Sequence, residues 1–179
     1  VENTVALYAQ MMTDPGKSIK IVTDQPHGHE IPLASSGYDG VGECLRHVYD
    51  DASMKSGEAK AGNWIEFNQT EFAESGQTQV GFQQSGWVYI PDACKEAASG
   101  TCKLVVRPDA CAPPAAPSGD IAELAAYAQA NNIVVLHPCV GGPVDKSMFP
   151  NAPDVAAGKM DVFGQLSGDY TQQSGLQMR

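Results

Sequence analysis

Four histidines occur in the chain, and His27-Gly28-His29 is the one place where two stand together. Imidazole titrates nearest neutrality, so a histidine on a loop can take up and return a proton as a general base. The pair follows the apolar run Ser18 to Val22, which reads as a short buried strand, and the loop after a strand is where α/β proteins place catalytic and ligand groups. The competing reading is a loop histidine bonded to backbone. A metal site on His27 and His29 lacks further ligands at suitable spacing, so neither metal nor cofactor is expected. His47, on a helical stretch, and His137, at the end of a strand, read as structural.

Other nucleophile and cofactor signatures are absent from the sequence. There is no G-x-S-x-G elbow, P-loop, dinucleotide glycine fingerprint or HExxH, and Gly141-Gly142 is too short to cradle phosphate. Ser35, Ser36 and Ser118 sit in turn or cap contexts. Asp145, Asp154 and Asp161 read as solvated loop or cap residues in a Gly- and Pro-rich stretch running from Pro138 to Arg179.

Five cysteines point to an oxidising compartment. Cys94 and Cys102 bracket a short polar loop, as a hairpin disulfide does. Cys111 and Cys139 each follow an apolar run, and their sulfurs can meet if those runs are neighbouring strands. No zinc-type spacing competes with this reading. Asn68-Gln69-Thr70 is an N-glycosylation sequon, which agrees with export. Cys44 reads as a buried apolar residue. A chain that starts at Val1 without methionine reads as already processed.

The elements that must position these groups follow from periodicity. Glu2 to Met12 is helical, stopped by Asp14-Pro15-Gly16. Asp39 caps a second helix with Val41, Cys44, Leu45 and Val48 on its apolar face. The polar segment 51–62 reads as a linker between residues 1–50 and 63–179, two parts of one domain. Asn63 to Phe67 and Trp87 to Ile90 are strands. Lys103 to Val106, a helix capped by Ser118 and carrying Ile121, Leu124, Ala125 and Ala128, and Ile133 to Leu136 form a strand, helix, strand unit, which predicts a parallel pair and α/β architecture. A weaker structure signal surrounds Met160 to Phe163.

The 179 residues give 11 Lys+Arg against 21 Asp+Glu, a net charge of −10, with 42% hydrophobic residues. That length can bury about 70% of the unfolded surface, enough for a true core. The negative charge argues against nucleic acid, whose binding rests on Lys and Arg displacing counterions from phosphates. No aliphatic run approaches the ~20 residues of a membrane-spanning helix.

The order of segments then resembles the extracellular poly(3-hydroxybutyrate) depolymerase family of esterases over nearly the whole chain. The residues that carry it are His27 to Pro32, Gly37-Tyr38-Asp39-Gly40-Val41-Gly42, Ile65 to Phe72, Gly86 to Cys94, Cys102 to Val106, Asn131 to Leu136, Gly168-Asp169-Tyr170 and Gly175 to Met178. Only the later, C-terminal part of that family is matched. The resemblance implies part of a circularly permuted α/β-hydrolase fold and a Ser-His-Asp triad working through an acyl-enzyme. It places His29, in a Gly-His-x-x-Pro pattern, as the triad base. The Ser and Asp would lie upstream of Val1, so a partner is implied: the N-terminal chain of the same precursor, or another subunit.

Two departures bear on activity. Where the family carries Leu-His-Gly-Cys at its oxyanion-hole loop, this chain reads Pro108-Asp109-Ala110-Cys111 after Arg107. A carboxylate at Asp109 opposes a developing oxyanion, and Pro108 has no N–H to donate. Where the family has Gly-Cys-Trp-Asp, the chain has Gly158-Lys159-Met160-Asp161, which loses a cysteine; Cys139 then becomes the substitute partner of Cys111. The expectation is a secreted hydrolase-type chain with weakened ester cleavage. The alternative is a non-catalytic hydrolase-fold protein with a binding or structural role in an extracellular assembly. A free-standing module is disfavoured, because half a sheet leaves apolar edges uncovered.

Overall fold

The computed structural model describes residues 2–28, 30–72, 82–96, 101–110 and 119–141, with single positions at Asn151, Gly168 and Gln172. The chain divides into two compact units, Val1–Ser53 and Met54–Arg179.

The first unit is helical. Helix α1 spans Glu2–Met11 and a single turn, α2, spans Pro15–Ser18, where Asp14 accepts a hydrogen bond from the Lys17 amide and Pro15 starts the turn. The expected strand at Ser18 to Val22 does not form. Residues 19–23 are irregular, and Ile21 and Val22 are exposed, because no strand among the described residues pairs with them. Helix α3 spans Gly40–Val48, capped as expected by the Asp39 side chain on the Gly42 amide at 2.9 Å. Its buried residues are Val41, Gly42 and Leu45; Cys44 and Val48, expected on the apolar stripe, are exposed. Arg46 ties the cap to the helix body by pairing with Asp39 at 2.8 Å and Glu43 at 3.0 Å. Lys20 also pairs with Glu43, and its ammonium, followed by Arg46, holds the Glu43 carboxyl below the usual range.

The second unit is a mixed sheet covered by a helix. Strands β1 (Trp64–Asn68), β2 (Ser85–Tyr89), β3 (Lys103–Val106) and β5 (Ile133–His137) stand in the order β1-β2-β5-β3. The β3–β5 pair is parallel, as the strand, helix, strand unit requires, and the β1–β2 and β2–β5 pairs are antiparallel. Helix α5 spans Asp120–Asn131 and buries Ile121, Leu124, Ala125 and Ala128. It ends at Asn132 in the left-handed conformation (φ 55°), a geometry asparagine tolerates. Its N-cap position is Gly119; Ser118 lies outside the described residues.

Burial alternates along β5, with Ile133, Val135 and His137 inside, so one sheet face carries the core. Tyr89, opposite Val135, is fully buried and stacks edge-on against Trp64 with ring centroids 5.2 Å apart. Gly86 sits where no side chain fits. A Cβ there would come within 2.8 Å of the Phe67 ring, which lies over it from the paired strand, and within 2.7 Å of Gln69.

Residues 54–63 are strapped to this unit. Met54 is buried, the Gly57 amide donates to the Ala126 carbonyl at 3.0 Å, and Asn131 Nδ2 donates to the Lys55 carbonyl. Asn63, also buried, donates to both Asp92 and Gln129 and accepts from Lys95. Helix α4 (Asp92–Lys95) leads into the Cys94–Cys102 disulfide expected from the sequence.

Two outcomes follow. Gly86→Val should lower the unfolding free energy by about 1–3 kcal/mol, read from denaturant titration, because the ring of Phe67 must leave its place. Asp92 is held well below the carboxylate range by Lys60, then Lys95, then Asn63. A depressed folded value means the stabilisation is present above the unfolded pKa near ~4 and fades as pH falls through the folded one. The melting temperature of Asp92→Asn should therefore lie below that of the wild type at neutral pH and converge with it in acid; a gap unchanged by pH would contradict the assignment.

Candidate functional site

The histidine loop belongs to the first unit. His27 is half-buried, its amide donates to the Gln25 carbonyl at 2.9 Å, and its ring stands tilted to Tyr38 with centroids 6.3 Å apart. The loop is buttressed at its far end. The Gly40 amide donates to the Pro32 carbonyl at 3.1 Å, and a Cβ on Gly40 would meet that oxygen at 2.8 Å. Glycine is needed there because the loop backbone presses on the first residue of α3. His29 itself lies outside the described residues. His47 is on α3, as expected.

The second expected element, Arg107-Pro108-Asp109-Ala110, lies at the end of β3. It turns into a two-residue strand, β4 (Asp109–Ala110), which pairs in parallel with β6 (Cys139–Val140), the continuation of β5. Three sets of bonds fix it. The Arg107 amide donates to the Leu136 carbonyl at 2.9 Å and the Asp109 amide to the Pro138 carbonyl at 3.2 Å. The buried His137 ring meets the Arg107 carbonyl through Nδ1 at 2.6 Å, which assigns the proton to Nδ1. Finally, the Arg107 guanidinium pairs with Asp109 at 3.1 Å and with Asp120 in the first turn of α5 at 3.0 Å. The carboxylate at Asp109 is thus charge-balanced by its neighbour, and its amide is already engaged.

A residue the sequence reading passed over as a mere sequon member supports the far side of this ladder. Gln69 Nε2 donates to the carbonyls of Gln83 (2.8 Å) and Cys139 (3.0 Å), while its Oε1 accepts from the Cys139 amide (3.0 Å). One side-chain amide thereby acts as a surrogate strand partner for β6. Nothing in local sequence signals this, since Gln83 is 14 residues and Cys139 70 residues away.

Asn68, half-buried at the end of β1, accepts through Oδ1 from the Thr70 amide (3.1 Å) and hydroxyl (2.7 Å), so the sequon folds as a closed turn. Cys139 is disulfide-bonded, while its expected partner Cys111 lies outside the described residues, as do Asp145, Asp154, Asp161 and Met160 to Phe163. Among the described residues no group of three His, Cys, Asp or Glu could hold a metal ion, and no helix is long and apolar enough to cross a membrane.

No protein-family model matches the chain. A curated poly(3-hydroxybutyrate) depolymerase of Delftia acidovorans is 30% identical over 154 residues, which cover 82% of this chain and 28% of that protein. A solved PHB depolymerase complexed with an R3HB trimer superposes with a TM-score of 0.56 at 20% identity, over 87% of this chain and 50% of its own. The crystal structure of PHB depolymerase from Penicillium funiculosum gives 0.55 at 22% identity, over 80% and 45%. At those identities the structural likeness speaks for the fold alone. The chain is thus similar to the poly(3-hydroxybutyrate) depolymerases over most of its own length, and spans half or less of theirs.

Proposed function

We propose that the chain is the C-terminal, histidine-bearing portion of a secreted, circularly permuted α/β-hydrolase of polyester-depolymerase type, in which ester cleavage is attenuated. In this reading His29 is the general base, and the Ser and Asp of the triad are supplied by sequence upstream of Val1 or by another subunit. The disulfide at Cys94–Cys102, the half-cystine at Cys139, for which the reading supplies Cys111 as partner, and the closed sequon turn at Asn68 as a glycan acceptor support export.

The observation that carries attenuation is the state of the 107–110 loop. Acyl transfer builds negative charge on the former carbonyl oxygen, and its stabilisation needs N–H donors that are unspent and preorganised. Pro108 has none, and the Asp109 amide is committed to Pro138. The Asp109 carboxylate adds charge of the wrong sign, which Arg107 offsets while dividing its guanidinium between two carboxylates. Loss of one donor costs on the order of 10²-fold in rate. A fully working esterase is the second reading, favoured by the intact Pro32–Gly40 buttress under the histidine loop.

The test replaces Pro108-Asp109-Ala110 by Leu-His-Gly in the longest natural protein that carries this sequence. A fluorophosphonate should label a serine, and the replacement should raise turnover of a short aryl ester by about 10²-fold, with His29→Ala abolishing it. Equal rates before and after replacement overturn attenuation and leave the working esterase. No labelling beside a labelled control overturns the hydrolase reading and leaves a fold kept for binding.

A further inference from the structure

The histidine loop is held at its near end as well as at its far one. It opens on Pro26, around which the His27 amide donates to the Gln25 carbonyl at 2.9 Å, a three-residue turn that fixes the direction in which His27 leaves. It ends on Pro32, whose carbonyl accepts from the Gly40 amide at 3.1 Å. Both ends meet the same tripeptide. The His27 ring lies against the Tyr38 ring, with centroids 6.3 Å apart and planes at 37°, and Gly40 stands two residues on at the first position of α3. The tripeptide is itself fixed, because Asp39 caps α3 through the Gly42 amide and pairs with Arg46. His27 and Tyr38 are each half-buried, whereas Gly28, Glu30 and Ile31 between the two anchors are exposed. A Cβ at Gly28 would meet nothing within 4 Å, so the path of the loop depends on its ends.

We infer that Tyr38 is a positioning residue for the histidine loop, acting through the ring of His27. The inference rests on the proposed reading in which His29 supplies the general base, and adds what holds the segment that carries it. A general base must lie within hydrogen-bond reach of the proton it takes, and a misplacement of about 1 Å costs on the order of 10²-fold in rate. A loop with one anchor swings about it, whereas residues 28–31, tied at both ends to one rigid tripeptide, keep a single path. His27 in this account is not a second base. Its ring is a contact surface, and an aromatic pair at this separation shifts the equilibrium between seated and released loop by roughly 2–10-fold. The contact needs two flat rings, so phenylalanine serves in place of either residue.

The experiment compares Tyr38→Leu, Tyr38→Phe, His27→Ala and His27→Phe in the longest natural protein that carries this sequence. Two readouts are taken, turnover of a short aryl ester and amide relaxation at Gly28 and Glu30. Tyr38→Leu and His27→Ala should each lower kcat by roughly 2–10-fold and leave KM within about twofold, while both phenylalanine variants keep the wild-type kcat. The order parameters of the two amides should fall toward ~0.6 in Tyr38→Leu and return in Tyr38→Phe. His27→Ala, on the loop side of the ring pair, carries the same comparison where the leucine variant does not fold. An unchanged kcat in Tyr38→Leu, a loss carried by KM, or a loss that phenylalanine does not restore overturns the inference. Abolished turnover in His27→Phe also overturns it, by making His27 the base. Relaxation does not depend on catalysis. In a protein that fluorophosphonate leaves unlabelled the hydrolase reading falls; the same relaxation pattern then keeps Tyr38 as the anchor of the loop, and unchanged order parameters discard the anchor as well.

Discussion

The structure of the second unit hangs on one alternating run, Ile133 to Val140. Ile133, Val135, His137 and Cys139 all point inward and are buried, so the register of the run is fixed: a slip by one residue would place four inward side chains in solvent and bury Leu136 and Val134 in their stead. That register then dictates its neighbours. Val135 faces Tyr89 and Val105, and the buried tyrosine hydroxyl, satisfied by Gln129, connects the sheet to α5. Past the core, the same run carries the 107–110 loop, since His137, Pro138 and Cys139 supply the ring, the carbonyl and the strand edge on which Arg107 to Ala110 are hung.

The consequence is a loop held by the sheet rather than by a ligand. An oxyanion site must keep its donors idle until charge develops, whereas a parallel ladder consumes them on folding. In the proposed reading, a 107–110 segment bonded into the sheet is compatible with a depolymerase-like fold and opposed to efficient acyl transfer. Arg107 makes the arrangement tolerable: without a cation between Asp109 and Asp120, two carboxylates would crowd one strand end.

Much of this architecture was legible in the sequence, for physical reasons that differ by element. Lys103 to Val106 and Ile133 to Leu136 announced themselves as β-branched runs flanking a helical repeat, and their parallel pairing follows from connection rules. Asp39 as a cap and the Cys94–Cys102 pair are local features with local signals. Ser18 to Val22 misled because composition reports the propensity of a strand, and a strand also needs a partner. Cys44 and Val48 misled because helical spacing marks a stripe, while burial depends on what covers it; here only Val41, Gly42 and Leu45 are covered. The Gln69 clamp and the ion pairs of Arg107 were illegible, being contacts between side chains and backbone or charges set together only by the sheet. The depolymerase resemblance came from segment order, and the comparison with the Delftia acidovorans protein agrees with it.

The central claim is that the amides of Arg107 and Asp109 are spent in the sheet. Amide hydrogen exchange resolved to single residues tests this directly, because opening free energies differ between core strands and idle loop donors. The account predicts that the amides of Arg107 and Asp109 exchange as slowly as that of Val135 in the core of β5, within about tenfold. Exchange of the Asp109 amide at the rate of an unstructured loop, beside a protected Val135, would contradict it and restore the segment as a place where an oxyanion could be held.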